Sequence, residues 1–94
     1  MTEIAPESIP RLPRGVKLRP DETRGGWVLL APERAVKLDE IGAAILAAVD
    51  GERSLGAIAD KLAADFGAPR NQVGSDVADF LADLMSRRML EIYP

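Results

Sequence analysis

The side chains best placed to do chemistry are three carboxylates, Asp76, Asp79 and Asp83. Their i, i+3, i+7 spacing puts them on one stripe of a helix, near enough in pairs for acid–base work. The bland alternative is a solvated helix face, and no flanking residues build a cleft around them. Other chemistries fail on residue type. The chain has 94 residues with no Cys and no His. That removes thiolate nucleophiles, disulfides, zinc ribbons, iron–sulfur ligation and the commonest general base. Its eight glycines are scattered, with no phosphate-cradling GxGxxG, GKS or GKT. A carrier-type serine needs an Asp-Ser-Leu setting, which neither Ser75-Asp76 nor Arg53-Ser54-Leu55 supplies. No cofactor and no metal are expected. The composition points to a binding module rather than an enzyme.

Charge narrows the partner. The net value of -3 is unevenly spread: residues 1–38 carry +2 and residues 39–94 carry -5. Phosphate contacts supply most non-specific DNA affinity, so a carboxylate-striped helix is a poor nucleic-acid reader. Arg87 and Arg88 form the one basic pair nearby, and they also complement the negative end of a helix dipole. The apolar run over residues 41–49 is about half of the roughly 20 residues a bilayer crossing needs. The N-terminus carries Glu3 and Glu7 and no signal pattern. The expected compartment is the cytoplasm, with no membrane or nucleic-acid partner.

The elements that position these residues follow from periodicity. Pro6, Pro10 and Pro13 block regular structure, so residues 1–13 read as a flexible tail and residues 14–94 as the domain. Val16 and Leu18 alternate with Lys17 and Arg19 as a first strand. Residues 21–26 make a turn, 27–30 a more fully apolar second strand, and Pro32-Glu33-Arg34 a second turn. Ala35, Val36, Lys37 and Leu38 form the third strand, with Val36 and Leu38 on one face. Beyond it the period becomes helical. Asp39 caps a first helix bearing Ile41, Ile45 and Val49 on one face and closed by Gly51. Ser54 caps a second, with the stripe Leu55, Ile58, Ala59, Leu62 and Phe66, stopped by Gly67. Pro69 suits the first turn of a third, striped by Val73, Val77, Phe80, Leu81, Leu84 and Met85. Leu90, Ile92 and Tyr93 are expected to fold back on the core. The fold class is α+β: a winged helix-turn-helix-like domain, with a three-stranded antiparallel sheet followed by three helices.

One site survives this reading. The third strand is an edge, and an edge offers unpaired N–H and C=O groups to an extended peptide. Lys37 reads as a charge guarding that edge. Helix 3 has more apolar positions than one packing seam needs, which leaves Phe80 and Met85 to line a groove. Trp27 serves either as a hot spot or as core. On this reading Val36→Pro weakens the pairing more than Lys37→Ala does. A DNA-binding winged-helix regulator, or a generic docking or oligomerisation module, is the alternative.

The ordered set Val28-Leu29-Leu30-Ala31-Pro32-Glu33, Val36-Lys37-Leu38, Ile45-Leu46, Val49-Asp50-Gly51, Asp76-Val77 and Phe80-Leu81-x-x-Leu84 resembles the PqqD family, a founding example of the RiPP recognition elements. The likeness spans roughly residues 12–92. It implies a non-catalytic peptide chaperone that binds the precursor peptide PqqA as a strand added to the third β-strand, and presents it to the radical SAM enzyme PqqE in pyrroloquinoline quinone biosynthesis. Carried onto this chain, the strand is Ala35, Val36, Lys37 and Leu38, and the groove runs along Asp76, Phe80, Asp83 and Leu84. Met85 and Arg87 complete the candidate set, in a monomer or weak dimer. Two positions depart from the family pattern. Arg34 stands where a Gly often follows the Pro-Glu turn, and Arg87-Arg88-Met89 stands where a Gly is common near the end of helix 3.

Overall fold

A computed structural model describes residues 4–93. The elements run β1 (Ile9–Arg11), β2 (Lys17–Pro20), β3 (Trp27–Ala31), β4 (Arg34–Leu38), α1 (Glu40–Ala47), α2 (Leu55–Phe66), α3 (Arg70–Ser86) and β5 (Glu91–Tyr93). The antiparallel sheet β2-β3-β4 and the three helices match the α+β class read from the sequence. Its register aligns Leu18 with Leu29 and Leu29 with Val36, so alternate residues reach the core together. Leu29 is fully buried there, with Leu38, Ile45, Leu46, Ile58, Leu62, Val77, Leu81 and Leu84 around it. α1 lies between the layers, touching β2, β3, β4 and α2, while α2 packs on α3.

Local chemistry sets the helix ends. Asp39 accepts from the Gly42 N–H at 2.6 Å, and Ser54 Oγ accepts from the Ala57 N–H at 3.1 Å. Gly67 closes α2 in the left-handed conformation. α1 stops earlier than Gly51. It tightens at Ala48, whose N–H, like that of Val49, reaches back three residues to Ile45 and Leu46. Gly51 falls in the next turn, where Asp50 accepts from the Glu52 and Arg53 N–H groups. With only two turns in the helix, Ile41 ends up exposed rather than on the core face. Pro69 is the residue before α3, not part of its first turn.

A second sheet departs from the sequence reading. Residues 9–11, expected to lie in a tail, form β1 and pair antiparallel with β5, with Pro10 opposite Ile92. A proline is tolerated in such an edge strand when its nitrogen faces away from the partner. The preceding residues cap α2: the Leu55 N–H donates to the Ser8 C=O and the Gly56 N–H to the Pro6 C=O, both at 2.8 Å. With Ser54, they satisfy the first three donors of that helix. Backbone carbonyls serve as caps here, so no side-chain type announces them.

α3 ends in a Schellman motif. The Met89 N–H bonds the Leu84 C=O at 2.9 Å and the Arg88 N–H bonds the Met85 C=O at 3.0 Å. Arg88 therefore sits at φ 61°, a conformation that glycine adopts without steric cost. Arg88→Gly is expected to raise stability by about 0.5–1 kcal/mol, strain relief exceeding the entropy glycine adds to the unfolded chain. Arg88→Val should lower it by at least about 1 kcal/mol. Urea denaturation checks both, and equal stability of the two variants would contradict the assignment.

Candidate functional site

β4 is one edge of its sheet, with β3 as its neighbour. The hairpin joining them has a two-residue loop, Pro32-Glu33, closed by the pair Ala31 and Arg34. Antiparallel pairing alternates hydrogen-bonded and non-bonded positions from that closing pair. Arg34, Val36 and Leu38 therefore spend their N–H and C=O groups on β3, while Ala35 and Lys37 direct theirs to the free edge. This reverses the expectation for Val36. Reading the turn as three residues shifts the alternation by one and exchanges which amides face outward. Glu33 makes the short turn possible by taking φ 65°.

α3 touches β4 where the strand begins and α1 just past the strand's end. At one end Arg34 Nη1 donates to the Arg87 C=O at 3.0 Å. Near the other, the Phe80 ring lies against Gly42, where an added methyl would sit 3.2 Å from two ring carbons. Between these points the strand runs through Ala35, Val36 and Lys37, and the helix through Asp83 and Leu84. Val36, Phe80 and Met85 are half-buried. Leu38 and Leu84 are buried in the core, so they support the site from below instead of lining it. Asp83 pairs with Arg87 at 3.2 Å. Asp76 accepts from Gln72 at 3.0 Å and borders a separate apolar recess of about 160 Å³ with Ile41, Phe66 and Val73. Asp76, Asp79 and Asp83 are exposed along α3, and no group of metal-ligating side chains occurs among the described residues. Trp27 is 43% exposed, at the sheet end away from the Pro32-Glu33 turn.

Residues 26–90 match the family model for coenzyme PQQ synthesis protein D (PqqD). A PqqA binding protein of Rhizobium meliloti (strain 1021) is 49% identical over 89 residues, covering 95% of this chain and 91% of the relative. One from Xanthomonas oryzae pv. oryzae is 46% identical over 92 residues, covering 98% and 100%. Among solved structures, the PqqD truncation of Methylobacterium extorquens PqqCD, described as a stand-alone RiPP recognition element, superposes with a TM-score of 0.82. It is 42% identical, with 94% of each chain covered. TbiB1, solved in complex with the TbiA(beta) leader peptide, has the same fold at a TM-score of 0.74 and 24% identity, covering 86% of this chain and 94% of that one.

The side chain of Lys37 does not guard the edge. It crosses the sheet's outer face to the β2–β3 turn, donating to Asp21 at 3.0 Å and to the Gly25 C=O at 2.8 Å. Asp21 also accepts from the Thr23 and Arg24 N–H groups. The Lys37 hydrogen bond first, and the Arg24 N–H next, hold the Asp21 carboxyl below its ordinary value of 3.8. Because the folded value is the lower one, this clip contributes fully above the unfolded value and fades as pH falls through the folded one. The stability gap between wild type and Asp21→Asn should thus close on acidification from pH 6 to pH 2 in thermal unfolding. A gap independent of pH would contradict this account.

Proposed function

The chain belongs to the PqqD family, and on that premise we propose that it is a non-catalytic chaperone for the precursor peptide PqqA. In this reading PqqA adds as a strand along β4, and the loaded complex is presented to the radical SAM enzyme PqqE in the cytoplasm, with one copy of the chain sufficing. The observation that carries the reading is the open edge of β4, with the outward amides of Ala35 and Lys37. The PqqA-binding relatives support the identity of the peptide.

A visiting strand pairs with the N–H and C=O groups of Ala35 and Lys37. Its residues opposite Val36 and Leu38 point inward, toward α3. On α3, Phe80 offers half-buried apolar surface on the helix side that also carries Asp83 and Arg87, and Met85 offers it on the other side of the buried seam Val77, Leu81 and Leu84. Met85 adapts its shape to different side chains. Asp83 and Arg87 give the helix wall its polar contacts, Asp76 lies at the separate recess with Ile41, Phe66 and Val73, and Leu38 and Leu84 are buried beneath the strand and the helix.

The alternation selects the decisive substitution. Ala35→Pro removes an outward N–H and leaves the β3–β4 ladder whole, so the domain stays folded. Its affinity for PqqA, measured by calorimetry, should fall about ten-fold or more, the equivalent of ~1.4 kcal/mol. Val36→Pro instead breaks a ladder bond and should unfold at lower temperature. Wild-type affinity in a folded Ala35→Pro protein would show that backbone pairing is not the source of binding.

A further inference from the structure

Where β4 begins, a cleft of about 460 Å³ is walled by Arg14, Arg34, Arg87 and Arg88, with Glu33 as its carboxylate. We propose that this cleft binds acidic side chains of the visiting peptide, those just beyond the segment paired to β4, and thereby fixes the direction in which the peptide lies. The inference rests on the strand-addition reading and adds to it a second contact of different chemistry.

Three observations carry it. The first is concentration of charge: four of the chain's twelve basic residues meet at one cleft of a molecule whose net charge is -3. Arg87 is held by Asp83, and Arg34 by the Arg87 carbonyl. Arg14 and Arg88 have no carboxylate partner among the described residues. The second is continuity. Arg34 is both the first residue of β4 and a wall of the cleft. An extended chain advances about 3.3 Å per residue, so one leaving the edge past Ala35 enters the cleft within one or two residues. The third is backbone conformation. Glu33 and Arg88 are the two non-glycine residues at positive φ among those described, and both line this cleft. At Arg88 a guanidinium stands where glycine is the unstrained choice.

The far end of the helix wall has the opposite sign, with Asp76 and Asp79 exposed. The exposed charge along α3 thus runs from Asp76, Asp79 and Asp83 to Arg87 and Arg88. A peptide whose carboxylates lie at one end is attracted in one orientation and repelled in the other, since like charges brought together select against the wrong register.

The test titrates the full chain with PqqA and, separately, with hexaglutamate and a short DNA duplex, following backbone amide shifts in NMR. The variants are Arg14→Gln/Arg88→Gln and the charge-keeping Arg14→Lys/Arg88→Lys, each first checked for folding by circular dichroism. Support consists of a roughly ten-fold loss of PqqA affinity in the Gln pair, retention in the Lys pair, and a shallower salt dependence in the Gln pair. Unchanged affinity in the Gln pair while Ala35→Pro still weakens binding overturns the cleft and leaves strand addition standing. If PqqA does not bind at all, strand addition fails, and hexaglutamate decides the cleft alone. Shifts confined to Arg14, Arg34, Arg87, Arg88 and their neighbours sustain it; their absence, or shifts with DNA only, overturns it.

Discussion

The backbone of β4 has to satisfy two demands at once. Half of its ladder groups are committed to β3, and the others must stay ordered without a partner, because an edge that frays offers nothing for another chain to pair with. Several contacts meet this demand. Leu38 is buried beside Leu29, Lys37 is clipped to the β2–β3 turn, and Arg34 is tied to the end of α3. The strand's ordering entropy is thus lost on folding, so the proposed strand addition would draw on a preorganised edge. At five residues, the strand is also short enough to limit pairing with further copies of itself.

Periodicity made most of the fold legible. Of the expected α2 stripe, Leu55, Ile58, Ala59 and Leu62 are buried while Phe66 is exposed, and Ser54, Asp39 and Gly67 act where their side chains or φ preferences place them. The failures have a common cause, since they depend on backbone groups that carry no side-chain signature. β1 is held by pairing with β5 at the other end of the chain, and the Pro6 and Ser8 carbonyls cap α2. The end of α1 is set by three-residue backbone bonds at Ala48 and Val49 rather than by the glycine after them.

The candidate site shows the same division. Side-chain period located the strand and proposed Phe80 and Met85 for the wall, but did not say which amides face outward. That depends on the length of the turn. Pro32 announces a turn, yet nothing in Pro-Glu-Arg says that Glu33, and not Arg34, is its last residue, because glutamate at positive φ is uncommon. One residue of turn length decides which face of β4 is chemically available. The side chain of Lys37 is a separate case: a lysine on a short edge strand is ordinarily a guard, and its partner Asp21 becomes visible only when the β2–β3 turn is folded beside it.

Magnitudes indicate what the edge can do alone. Two outward residues supply two N–H and two C=O groups, and each hydrogen bond formed adds about 0.5–1.5 kcal/mol net. Their sum, at most about 6 kcal/mol, is comparable to the ~4–15 kcal/mol that association costs in lost freedom. Backbone pairing over this length therefore selects an extended chain but leaves little surplus. The remainder has to come from side chains, either apolar ones set against Phe80 and Met85 or charged ones at the ends of the groove. Since any extended peptide satisfies the backbone pairing, those side-chain contacts are also where one sequence is told from another. Under the proposed strand addition, a short edge strand thus makes the adjoining helix and turn the carriers of specificity.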